Sequence, residues 1–240
     1  MRPDDPLAVA GATAIRTGDL AAIERLLAEN PGLANVQIEG RRGGYRTPLH
    51  VVADWPGYFP NGPAMVRLLI AAGADPNGGA EGWGKQETPL HWAASSDDVD
   101  VAEALIDGGA DVEAPGGSIA DGSPLDNAIG YGCWRVARLL VARGAKVDKL
   151  WHAAALGMLP RLEELLPNAT AEEVSHAFYQ ACCGGQRRAA ELLRAHGADL
   201  NWQPDYAKGS TPLEAARGLD TGRQALITWL EEQGAKSAEG

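Results

Sequence analysis

The chain has 240 residues, a formal net charge of −11, 45% hydrophobic and 22% charged residues, a balance that supports a folded core and argues against disorder. So acidic a chain opposes phosphate backbones and anionic lipid, because binding there depends on Lys and Arg releasing counterions, so no nucleic-acid or membrane partner is expected. Three cysteines, Cys133 and the adjacent Cys182 and Cys183, make a poor disulfide framework and fit a reducing, cytoplasmic setting.

The chain opens Met1-Arg2-Pro3-Asp4-Asp5-Pro6, acidic where a signal peptide wants positive charge, and Arg16 soon interrupts the short apolar stretch that follows. No signal peptide is read there. Nothing approaches the roughly 20 apolar residues of a membrane span. An opening helix pair is expected through residues 14–19 and 22–27, ending near Asn35. Then Thr47-Pro48-Leu49-His50 recurs as Thr88-Pro89-Leu90-His91, as Ser123-Pro124-Leu125-Asp126 and as Thr211-Pro212-Leu213-Glu214. Each Thr or Ser caps free backbone N–H groups, and each Pro suits the first helical position. Ala93-Ala94 and Ala154-Ala155 let a short first helix lie close to its neighbour. A second helix follows with apolar residues at helical spacing, as in Val66, Leu69, Ile70 and Val101, Leu105, Ile106. Gly73, Gly109, Gly144 and Gly197 stop those helices, and Gly-Ala-Asp or Gly-Ala-Lys returns at each, as it does at Gly234. The Thr-Pro element steps by 41 and then 35 residues, the Gly-Ala element by 36 and then 35. Two independent markers stepping together make an internal repeat.

These residues resemble the ankyrin repeat, whose consensus the Thr-Pro-Leu-His and Leu-Leu-x-x-x-Gly-Ala-Asp elements follow across nearly the whole chain. The resemblance implies an all-α solenoid of stacked antiparallel helix pairs with β-turn finger loops. It implies one domain over 1–240: a capping helix pair at 1–35, repeats one to five with their loops at 36–206, and a capping repeat at 207–240. Repeats start near Thr47, Thr88, Ser123, Leu150, Ser175 and Thr211. The fourth has lost Thr-Pro and its terminal Gly-Ala-Asp. The fifth carries His176-Ala177-Phe178-Tyr179 in the Thr-Pro-Leu-His slot and shows an earlier helix signal at Thr170-Ala171-Glu172-Glu173. The last pair, with Trp229, Glu231 and Glu232, is the polar cap that ends the stack.

The family's usual role is protein binding through the concave face and the fingers. Long fingers are expected at 36–46, 78–87, 114–122 and 202–210, and an insertion at 55–62 separates the helices of repeat one. Insertions in repeat proteins gather on the binding face, and aromatics and Arg dominate interface hot spots. Tyr45, Arg46, Trp55, Trp83, Lys85 and Glu87 are therefore candidates for a partner-binding surface. Tyr58 and Phe59 are read as anchors of their own loop. The position two residues beyond the Ala pair faces the groove in this fold and adds Ser96 and Tyr131. The expected partner is an intracellular protein and the expected state a monomer.

Asp54 stands in a slot that is normally small and apolar, and a buried carboxylate needs a partner or a raised pKa. Arg46, His50 and His91 are the candidate partners. The alternative function is a small-molecule or enzymatic pocket under the 55–62 insertion, lined by Asp54, Trp55, His91, Trp92 and Trp83, with Asp54 and His91 as acid–base groups. His50, His91 and His152 occupy the family's structural His position. No metal-ligand spacing, phosphate loop or nucleophile elbow appears, so no metal or cofactor is expected.

Overall fold

The computed structural model describes residues 1–40, 44–82, 85–218 and 223–237. Internal contacts divide the chain into two compact units, Met1–Ala145 and Lys146–Gly240.

The first unit holds α1 (Pro6–Thr17), α2 (Leu20–Glu29), α3 (Pro48–Ala53), α4 (Gly62–Ala71), α5 (Pro89–Ser95), α6 (Val99–Asp107), α7 (Pro124–Gly130) and α8 (Trp134–Ala142). Each odd-numbered helix turns back into the even one after it. The row α1, α3, α5, α7 packs side by side, and α2, α4, α6, α8 form the second row. Small residues permit this closeness: Ala53, Ala93, Ala94 and Ala128 are fully buried between Leu49, Leu90 and Leu125. The Pro-led starts sit where expected, with Pro48, Pro89 and Pro124 at the first helical turn. The second helices end at Gly73, Gly109 and Gly144 with φ of 91°, 96° and 99°.

Two fingers of this unit are antiparallel hairpins. β1 (Ile38–Glu39) pairs with β2 (Tyr45–Arg46) in the register Ile38↔Arg46, and β3 (Ala80–Gly82) pairs with β4 (Lys85–Glu87) in the register Ala80↔Glu87. The 114–122 finger is held by turns, with Ala120 and Asp121 at positive φ.

The second unit holds α9 (Leu150–Leu156), α10 (Leu159–Leu165), α11 (Ala171–Cys183), α12 (Arg187–Ala195), α13 (Pro212–Arg217) and α14 (Gln224–Glu232). Here α11 packs on α9 and α13 as well as on its partner α12. Phe178 is the largest fully buried side chain among the described residues, packed among Leu162, Leu193, Leu213 and Leu230. The first helix of the fifth repeat starts at Ala171, ahead of Ser175, because Thr170 and Glu173 form a complete capping box. His176 therefore lies inside a helix and not at its cap.

His152 stands at the third position of α9, as His50 and His91 stand in α3 and α5, and is likewise buried. Lys149 precedes α9 where those helices have Thr, and no side-chain cap starts it; α9 also reaches its left-handed glycine, Gly157, one residue sooner than α5 reaches Asp97.

Candidate functional site

The repeat's own polar groups come first, because they decide which candidates are free to act. The Thr47 N–H donates to His50 Nδ1 at 3.2 Å, which fixes the proton on Nε2, and Nε2 donates to the Glu87 carbonyl at 2.9 Å. His91 repeats this, with Thr88 N–H on Nδ1 at 3.0 Å and the Gly122 carbonyl 3.2 Å from Nε2. Each buried ring thus ties its helix start to the base of the next finger. Burial lowers the pKa of His50 to about 4 and that of His91 in the same direction. Asp126 keeps the local half of the arrangement, accepting from the Ser123 N–H at 2.8 Å and hydroxyl at 3.0 Å. Glu214 does not: its carboxylate turns to Arg217, and the Thr211 hydroxyl instead donates to the Lys236 carbonyl.

Asp54 ends α3 with its side chain 23% exposed, held between Arg46 at 3.1 Å and Arg16 at 3.3 Å. The histidines are not its partners. Arg16 comes from α1, which packs against α3, and nothing in the local sequence pointed to it. Arg46 also carries a buried Nε with no hydrogen-bond partner among the described residues. The structure does not bring Asp54 and His91 together as an acid–base pair, since both ring nitrogens of His91 are engaged in the repeat.

The 55–62 insertion folds onto its neighbours. After a cis Trp55–Pro56 bond, the Tyr58 N–H donates to Asp98 Oδ2 and its hydroxyl to the Asp97 carbonyl, both at 2.5 Å. Arg135 lies 5.5 Å from the Tyr58 ring centroid. Asp98 is buried and also caps α6 through the Val101 N–H at 3.1 Å. On the other side Asn61 donates to the Gly18 carbonyl at 2.9 Å.

The proposed binding residues separate into two kinds. Trp55 is 79% exposed, Tyr131 53% and Tyr45 39%, three of the six large apolar side chains left in solvent among the described residues. Glu87 and Ser96 instead hold the fold. Glu87 Oε1 accepts from the Ser118 N–H at 2.9 Å and the Asn127 amide at 2.7 Å, joining the second finger to the third. The Ser96 hydroxyl donates to the Ala53 carbonyl at 3.2 Å and the Trp92 carbonyl at 3.0 Å. Trp83 lies outside the described residues. Lys85 supplies backbone to β4, and its side chain lies outside the described set.

One set of residues escaped the sequence reading. The Asn35 amide donates to the Gly73 carbonyl at 2.6 Å and its oxygen accepts from Asp75 N–H, while Asn77 bridges Gly109 and Asp111 in the same way. Asn35 thus ties the end of the opening helix pair to the Gly73 turn, and Asn77 ties that turn to the one at Gly109.

The second unit carries a pocket of about 520 Å³ lined by Thr170, Glu172, Glu173, His176, Trp202, Gln203, Asp205 and Tyr206. In its lining the His176 and Trp202 rings lie 5.5 Å apart, and Trp151, outside the lining, lies 5.7 Å from His176. Desolvation lowers the pKa of His176.

Among the described residues no helix is long and apolar enough to cross a membrane, and no group of three or more His, Cys, Asp or Glu could hold a metal ion.

Known proteins resemble this arrangement. A family model for ankyrin repeats, in three copies, matches residues 11–116 and 57–149. The mouse B-cell lymphoma 3 protein homolog is 27% identical over 238 residues, covering 98% of this chain and 45% of that protein. The ankyrin repeat and KH domain-containing protein mask-1 of Caenorhabditis elegans is 28% identical over 183 residues, 72% of this chain and 7% of that protein. The chain thus spans less than half the length of these curated relatives. The solved ankyrin repeat domain of Bcl-3, described as a unique member of the IkappaB protein family, superposes with a TM-score of 0.54 at 25% identity, covering 96% of this chain and 100% of that one. The human ASB11 ankyrin repeat domain, 22% identical with a TM-score of 0.52 over 93% of this chain and 97% of that one, shares the fold.

Proposed function

The chain belongs to the ankyrin-repeat family, whose domains are protein-interaction modules, and from that premise we propose that it binds an intracellular protein through the first unit. The surface is the concave edge formed by the ends of the first helices together with the N-terminal fingers. One observation carries the reading: Trp55 and Tyr131 stand in solvent at the ends of α3 and α7, two members of one packed row, with α5 between them. The Tyr131 hydroxyl meets Ser118 Oγ at 3.2 Å while its ring stays in solvent, and exposed, positioned aromatics of this kind are the usual anchors of an interface. Tyr45 on β2 extends the surface to the first finger, and Arg46 fixes its base through Asp54. Glu87 and Ser96 support the surface from behind through their internal hydrogen bonds.

The test is affinity capture from the source cell with the wild-type chain and a Trp55→Ala, Tyr131→Ala double variant. Both residues are exposed, so the variant should keep its helical circular dichroism. Losing two anchors should lower recovery of the specific partner by about tenfold or more. Equal recovery of every captured protein by both chains would remove this surface from consideration.

A further inference from the structure

We propose that the pocket of the second unit is a receptor for a basic side chain, an arginine guanidinium or lysine ammonium presented by a partner chain. The inference stands on this unit alone and needs neither Trp55 nor Tyr131.

Two elements build the pocket, α11 and the 202–210 finger. The first turn of α11 brings Glu172 and Glu173, its second turn brings His176, and the 202–210 finger brings Trp202, Asp205 and Tyr206. Three carboxylates thus face one pocket whose lining contains no Lys or Arg. Glu173 spends one oxygen on the Thr170 cap, accepting from its N–H at 2.8 Å and hydroxyl at 2.9 Å, and remains charged. The same capping box occupies part of the α11 N-terminus, and three negative charges beside it oppose an anionic guest.

The rings supply the second half of the recognition. Trp202 is half-buried and Tyr206 is 70% exposed, so both leave ring surface open to the pocket. Gln180 donates to the Tyr206 hydroxyl at 3.1 Å and Tyr179 stands edge-on to Trp202 with centroids 6.1 Å apart, so both rings are held in place. A cation over such faces is attracted by the ring quadrupole. Beside the pocket, and outside its lining, Lys149 makes such a contact with Trp151, 5.7 Å from the centroid of a ring that neighbours His176. His176 is neutral near pH 7, because burial disfavours its charged form, and does not compete for the carboxylates. At about 520 Å³ the pocket has room for one long side chain with its headgroup waters.

The experiment titrates the intact chain with the blocked tripeptide Ac-Gly-Arg-Gly-NH2, its Lys counterpart and its citrulline counterpart, following the indole N–H resonance of Trp202 by NMR. Citrulline keeps the shape of arginine without its charge. The Arg or Lys peptide should move the Trp202 signal saturably, and the citrulline peptide should not. A Glu172→Gln, Asp205→Asn variant, altered only at exposed positions, should weaken binding about fivefold. Trp202→Ala should abolish it by calorimetry. An equal response to citrulline, an unchanged affinity in the carboxamide variant, or no response to either cation would overturn the proposal. None of these outcomes depends on the partner-capture result at Trp55 and Tyr131.

Discussion

At His50 a single ring does two structural jobs, and both need it neutral. Nδ1 accepts from Thr47 and Nε2 donates to Glu87, in a fully buried site. Protonating Nδ1 would set two donors against each other. The folded pKa of about 4 lies below the ordinary 6.5, so the unfolded chain takes up the proton first as pH falls. The stability His50 provides is therefore complete above about pH 6.5 and lost progressively toward pH 4, on the order of 3 kcal/mol in total. Urea unfolding at pH 7 and pH 5 should show this loss, and a His50→Asn variant, less stable at pH 7, should show a visibly flatter dependence. A wild-type stability that held constant between those values would contradict the tautomer and the burial together. Glycines give a second contrast at this scale. Gly73, at φ 91°, has open space where a Cβ would stand, so Gly73→Ala should cost about 1 kcal/mol for the left-handed backbone alone. Gly18, at φ 69°, has the Pro60 carbonyl in that place, and Gly18→Ala should cost about 3 kcal/mol because overlap adds to the dihedral cost. Thermal melts of the two variants compare them directly.

Between elements, the ties run from one repeat to the next through a few carboxylates. Glu87 holds the 114–122 finger and α7 by one oxygen. Glu87→Ala should therefore lower stability by about 1–2 kcal/mol and raise amide exchange at Ser118 and its neighbours. If Glu87 touched a partner instead, the variant would lose binding with exchange unchanged. Asp98 has the same character. It caps α6 and holds the Tyr58 N–H, so Asp98→Ala should cost about 2 kcal/mol and free the 55–62 insertion to proteolysis before the rest of the chain.

How much of this was legible follows the range of each interaction. The helices after Thr47, Thr88, Ser123 and Thr211 were legible because cap, proline and terminating glycine are all local signals. The start of α11 was legible at Thr170 for the same reason, but the role of His176 was not, because it depends on Trp151 and Trp202 arriving from other elements. His152 was legible at the third helical position even though α9 lacks the Thr-Pro start, because the buried ring keeps its place in the repeat. Arg16 on Asp54 spans 38 residues and crosses from α1 to α3, beyond any pattern in the sequence. Of the proposed surface, Trp55 was legible as a large ring in the insertion, and Tyr131 by its groove-facing position in the repeat. Glu87 and Ser96 were not separable from them, because a side chain that braces a finger and one that greets a partner occupy the same sequence positions.

For the molecule as a whole, the charge excess and the buried histidines act in the same pH range. At pH 7 the chain carries −11, and mutual repulsion between copies opposes association. The sequence pI is about 4.9, so that repulsion vanishes within the window where His50 and His91 destabilise the fold. Acidification thus raises the unfolded fraction and removes the barrier to its self-association together. Light scattering after a fixed heat step should peak near pH 5 and fall steeply toward pH 7. Added salt separates the two contributions. At pH 7, roughly 0.5 M NaCl screens the repulsion and should raise scattering, whereas at pH 5 there is little repulsion left to screen and the signal should barely change. His50→Asn should narrow the difference between pH 7 and pH 5 without moving the peak, since it alters the fold's proton uptake and not the net charge at neutral pH. A peak that stayed at pH 7, or salt responses equal at both values, would mean that apolar exposure in the folded chain, and not charge coupled to unfolding, governs its association.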